Sequence, residues 1–144
     1  MKKAGVLNAQ LMCELTKLRH TDKIVICDAG FPIPKGAIIV DVSLVEGIPT
    51  MPQVLKAVLN EIIVEEYVIF DMMKNVNKEY YDFIKSTFKG EQKKTEVSMA
   101  AFQEIAIDAK VFVRTGDLAP CANIMLTSAS GVSAICEPMN ITCR

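Results

Sequence analysis

Apolar positions along the chain alternate between two spacings, and the alternation sets the order of elements. Leu11, Met12, Leu15 and Leu18 recur at helical spacing behind Asn8, a residue that caps helices, and so predict a helix closing near Arg19. His20-Thr21-Asp22 is the turn out of it. Lys23-Ile24-Val25-Ile26-Cys27 is continuously apolar after its first residue, the signature of a strand covered on both faces. Asp28-Ala29-Gly30 ends that strand, and the two prolines in Phe31-Pro32-Ile33-Pro34-Lys35-Gly36 make the next segment a loop. Ile38 to Val42 is a second β-rich run, followed by a turn at Glu46-Gly47-Ile48-Pro49.

Pro52 suits a first helical position, and Val54, Leu55, Val58, Leu59, Ile62 and Ile63 give the helix after it a broad apolar face. Tyr67-Val68-Ile69-Phe70 predicts a strand, and Asn77 caps a helix from Lys78 to Phe88 that stops at Gly90. The charged stretch from Lys89 to Lys94 reads as a solvated loop. A short strand near Glu96–Met99, a helix near Ala101–Asp108, and strands at Val111–Arg114 and Asn123–Leu126 complete the pattern. Beyond Ser128 no periodicity is left. Helices alternating with strands predict one α/β domain over residues 1–144, a layered sandwich on a largely parallel central sheet flanked by helices. In such sheets ligands gather beyond the carboxyl ends of the strands, where Asp28 lies, with Cys121-Ala122-Asn123 in a loop beside another strand.

With 51% hydrophobic and 23% charged residues, 144 residues suffice for a packed core rather than a disordered chain. A net charge of −1 leaves no basic field for a phosphate backbone, so nucleic acid is not an expected partner. No apolar run approaches the ~20 residues that span a bilayer. Met1-Lys2-Lys3 is followed by Glu14, Lys17, Arg19 and His20 with no small-residue cleavage site, unlike a signal peptide, and the expected location is the cytoplasm. Five cysteines, Cys13, Cys27, Cys121, Cys136 and Cys143, lack a CxxC pair and are odd in number, which predicts reduced thiols, mostly core filler, and no metal site.

His20 is the chain's single histidine. Imidazole both gives and takes protons near neutral pH, and Asp28, eight residues on, is suited either to a ligand hydroxyl or to orienting that ring. His20 equally suits a helix C-terminus, where a cation is favoured, and Asp28 equally suits a turn in which it caps a local amide. Asn123 carries a donor and an acceptor fit for a hydroxyl, or it closes the turn after Pro120. Arg114-Thr115-Gly116-Asp117 reads as a turn with an internal charge pair, without the glycine spacing of a P-loop.

Four segments together carry a resemblance. Lys2-Lys3-Ala4-Gly5-Val6-Leu7-Asn8, Leu18-Arg19-His20-Thr21-Asp22, Cys27-Asp28-Ala29-Gly30-Phe31-Pro32-Ile33-Pro34-Lys35 and Arg114-Thr115-Gly116-Asp117-Leu118-Ala119-Pro120-Cys121-Ala122-Asn123-Ile124 resemble, in order and spacing, the D-ribose pyranase family and the wider group that includes the L-fucose mutarotases. The resemblance extends over roughly residues 1 to 126. It implies a cofactor-free isomerase that interconverts pyranose and furanose forms, or anomers, of ribose or a related free aldose. It also implies ring-based homodecamers of stacked pentamers with sites near subunit boundaries, His20 as proton donor, and Asp28 and Cys121-Ala122-Asn123 as sugar contacts.

The chain departs from the family pattern at three such positions. Met99 stands where the family has a second, sugar-binding histidine, Gln103 where it commonly has lysine, and Cys121 where it has tyrosine. The stretch from Ser128 to Arg144 also extends past the family's usual ending. These departures leave open a second reading, a non-catalytic sugar-binding or regulatory protein on the same scaffold.

Overall fold

The continuous apolar runs become the middle of one six-stranded sheet. A computed structural model of the chain describes residues 1–131. In order, the elements are α1 (Ala9–Thr16), β1 (Lys23–Cys27), β2 (Ile39–Asp41), α2 (Met51–Leu59), β3 (Val64–Phe70), α3 (Met73–Val76), α4 (Lys78–Thr87), β4 (Lys93–Val97), α5 (Met99–Ala106), β5 (Val111–Arg114) and β6 (Ile124–Ser128). The strands lie in the order β2-β5-β1-β6-β3-β4. Five of them run in one direction. β6 alone is antiparallel to both its neighbours, β1 and β3. Ile24, Val25 and Ile26 in β1 and Ile124, Met125 and Leu126 in β6 are wholly buried, as their lack of alternation requires.

Among the described residues four of the five helices, α1, α2, α4 and α5, begin at a side-chain cap, and the single turn α3 has none. Asn8 Oδ1 accepts the Leu11 N–H, Asn77 Oδ1 accepts that of Tyr80, and Ser98 Oγ that of Ala101. Thr50 and Gln53 form a reciprocal capping box ahead of α2, which places its start at Met51 with Pro52 in the first turn. α2 stops at Leu59, so Ile62 and Ile63 belong to the turn into β3 rather than to the helix face. α2 packs on β1 and α5 on β3.

Two sequence expectations are corrected. Lys93 and Lys94 are not loop residues but open β4, an edge strand whose exposed lysines suit a position with one unpaired side. Arg114 does not pair with Asp117. Its guanidinium donates to Asp41 Oδ2 at 2.9 Å, from the position directly in register on β2, while Asp117 is buried. β6 extends to Ser128, and most of the expected 128–144 extension, with Cys136 and Cys143, lies outside the described residues.

Candidate active site

Because β6 runs opposite to the rest, its first residue lies among the carboxyl ends of β1 and β3. That reversal builds the cleft. Asp28 leaves the end of β1, Phe70 ends β3, Met99 opens α5 just past β4, and Cys121 and Asn123 lead into β6. These residues, with Gly30, Phe31, Pro32 and Gln103, line one cavity of about 200 Å³. This is below the ~300–1,000 Å³ of drug-sized pockets, and its mixture of one carboxylate, two amides and apolar walls suits a small polar ring. Phe31 and Phe70 pack edge-on against the buried Phe102 at 5.9 and 4.8 Å, a rigid apolar backing.

Asp28 and Asn123 hold one another. Asn123 Nδ2 donates to Asp28 Oδ2 at 2.7 Å, and Asn123 Oδ1 accepts the Asp28 N–H at 3.0 Å. Asp28 Oδ1 also accepts the Gly30 N–H at 2.8 Å, so the carboxylate closes its own turn and still fronts the cavity. The turn expected of Asp28 is formed, and its carboxylate lines the cavity as well. Within one chain the hydrogen-bond partner of the His20 ring is Glu65, not Asp28.

Cys121 takes a left-handed backbone conformation, φ 59°, and is almost wholly buried. Burial, with Asp28 and Asp71 nearby, raises the pKa of its thiol and keeps it neutral. Ala122 is fully buried beneath the cleft and does not line it, and Met99 lies half exposed on the rim. Cys27 is a core thiol as expected, whereas Cys13 is exposed.

Sequence reasoning missed the buried Asp117, which braces this loop. Its carboxylate accepts the Ala119 N–H at 2.8 Å, the Met51 N–H at 2.8 Å and the Tyr80 hydroxyl at 2.7 Å, and its own carbonyl accepts the Ala29 N–H at 2.9 Å. Asn77 Nδ2 donates to the Pro120 carbonyl from the start of α4. Gly116 is required by close approach, since a Cβ there would lie 2.3 Å from the Ile48 carbonyl oxygen.

His20 stands apart. It precedes β1, while Asp28 follows it, and the five residues of that strand alone span on the order of 16 Å. One chain therefore brings Asp28, Met99, Cys121 and Asn123 to a common cleft but leaves His20 at the other end of the sheet. There its Nε2 lies 3.1 Å from Glu65 Oε2 near the start of β3, a partner that only the tertiary fold reveals.

The RbsD / FucU transport protein family matches residues 1–132. The chain belongs to that family. It is 41% identical over 133 residues to the D-ribose pyranase of Geobacillus thermodenitrificans, covering 92% of this chain and all of that one. Among solved structures, that of Bacillus subtilis RbsD complexed with D-ribose superposes with a TM-score of 0.85 at 38% identity, over 90% of this chain and 98% of the other. The fucose mutarotase of Streptococcus pneumoniae, solved with L-fucose, shares the fold with a TM-score of 0.75 at 19% identity, over 90% of this chain and 98% of that one.

Proposed function

We propose that this chain is a sugar-ring isomerase that interconverts the pyranose and furanose forms of D-ribose. The observation that carries the reading is the mutually hydrogen-bonded Asp28–Asn123 pair in a ring-sized cleft, in a chain 41% identical to a D-ribose pyranase along that enzyme's whole length. Opening a cyclic hemiacetal breaks the bond between C1 and the ring oxygen. The ring oxygen gains a proton, and the anomeric hydroxyl loses one as the aldehyde forms. Closure through a different hydroxyl reverses both transfers, with no net change in oxidation state.

In this reading His20 supplies the proton, and Asp28 and Asn123 hold sugar hydroxyls through their remaining lone pairs and N–H. Positioned acid–base groups contribute about 10²–10⁴-fold. Since His20 and Asp28 of one chain lie at opposite ends of β1, the sugar in one cleft meets His20 of a second copy. The site is then completed at a subunit boundary of a homo-oligomer. Leu44, Val45 and Leu118 are exposed around a groove beside the Asp28 turn that Ser43, Glu46 and Arg114 also line, and these apolar side chains favour association. A decamer of stacked pentamers in the cytoplasm is the assembly and location this reading carries.

Saturation-transfer NMR on free D-ribose tests the function. The wild-type protein accelerates pyranose–furanose exchange and His20→Ala does not. Binding of ribose with no acceleration by the wild type would overturn the reading in favour of a non-catalytic sugar-binding protein.

A further inference from the structure

His20 and Glu65 are held against each other by independent restraints that meet at Ser128. The turn bearing His20 closes through the Asp22 N–H on the Arg19 carbonyl at 3.0 Å and the Arg19 N–H on Asp22 Oδ2 at 2.7 Å. Lys110 Nζ holds the same carboxylate oxygen at 2.6 Å. Thr21, next to His20, has φ 70°, and its N–H donates to the Ser128 carbonyl at 3.0 Å, while the Ser128 N–H returns to the Asp22 carbonyl at 2.9 Å. On the other side of Ser128, the β3–β6 ladder slips. Val64 pairs with Ser128 and Glu66 with Thr127, so two steps on β3 match one on β6 and Glu65 is the inserted residue of a bulge. Bulges re-aim a side chain out of the regular alternation, and this one brings the Glu65 carboxylate to the imidazole.

We propose that Glu65 is a positioning residue for His20: its carboxylate accepts the Nε2–H and leaves Nδ1 as the atom that exchanges a proton with the sugar. This rests on the reading of His20 as the acid. Nε2 makes the ring's one hydrogen bond among the described residues, and the bond made by one ring nitrogen fixes what the other carries. During ring opening the Nδ1 proton passes to the ring oxygen as its bond to C1 breaks, and the anomeric hydroxyl proton goes to solvent. On closure the attacking hydroxyl returns its proton to Nδ1, and the carbonyl oxygen regains one from solvent. The Nε2–H stays on Glu65 throughout, so the ring keeps its orientation between the two half-reactions.

The chain's single histidine makes the test direct, because every imidazole signal in its ¹⁵N-edited spectrum belongs to His20. Ring exchange and that spectrum are measured for the wild type, Glu65→Ala, Glu65→Gln and His20→Ala, with thermal midpoints recorded alongside. Glu65→Ala is expected to lower kcat about tenfold, part of the 10²–10⁴ available to a positioned acid–base group, to leave KM within about twofold, and to move the Nε2 resonance. Glu65→Gln, whose amide oxygen still accepts the Nε2–H, recovers part of both losses. Wild-type exchange in Glu65→Ala beside a dead His20→Ala overturns the positioning role and leaves the acid role standing. Wild-type exchange in His20→Ala overturns both.

Discussion

Asn123 and Asp28 grip each other through two hydrogen bonds, side chain to carboxylate at 2.7 Å and backbone N–H to side chain at 3.0 Å, across 95 residues of sequence. This clasp joins the end of β1 to the start of β6 and sets the polar wall of the cleft. Asn123→Ala removes both bonds and leaves the partly buried Asp28 N–H without its acceptor. A loss of roughly 1–3 kcal/mol in stability is expected, read from the urea midpoint, with a several-fold rise in KM for ribose.

Tyr80 acts on the same loop from further away, through the Asp117 carboxylate. Tyr80→Phe keeps the ring and deletes one donor, and is expected to cost about 1 kcal/mol by chemical denaturation. Ring exchange should slow only modestly, since the Ala119 and Met51 N–H groups still anchor Asp117.

Met99 supplies the test of substrate preference. It lies on the cleft rim at 47% exposure, so Met99→His should leave the thermal midpoint near that of the wild type. A new hydrogen bond to a sugar hydroxyl is worth about 0.5–1.5 kcal/mol, and KM for ribose should fall by a few-fold to about tenfold. An unchanged KM would mean that the rim position does not touch the sugar.

Alkaline pH should weaken the fold through two acids, the buried Cys27 and the partly buried Tyr80. Burial lifts the Cys27 thiol from 9.0 to about 12, and burial with the bond to Asp117 lifts the Tyr80 phenol above its ordinary range. Both pKa values are raised on folding, so the stability they contribute is complete below the unfolded values. It is lost as pH climbs through the folded ones. Denaturation midpoints should therefore decline from pH 9 toward 12, and the decline should be shallower in Cys27→Ala and in Tyr80→Phe.

The sequence made the strands of the sheet's centre legible because burial on both faces leaves an unbroken apolar run, as in Ile24–Cys27 and Val111–Val113. It showed only the end of β4, as the short strand expected near Glu96–Met99, since an edge strand carries Lys93, Lys94 and Glu96 where an interior strand carries apolar residues. It hid α3, whose four residues are too few to show a period. In the candidate site, residues adjoining strand ends, Asp28, Cys121 and Asn123, were readable from chain order. The Arg114–Asp41 pair was not, because register across β2 and β5 chooses the partner rather than sequence proximity. Glu65 was likewise unreadable: a bulge in a ladder formed with β6 brings it to His20.

In the proposed function the site takes His20 from one copy and the Asp28–Asn123 clasp from another. His20→Ala and Asp28→Ala, each inactive alone, are unfolded together, refolded as a mixture and assayed for ribose ring exchange by saturation transfer. Random assortment in a symmetric oligomer should restore exchange to about one quarter of the wild-type rate per chain. A mixture as inactive as its parents would contradict the shared site.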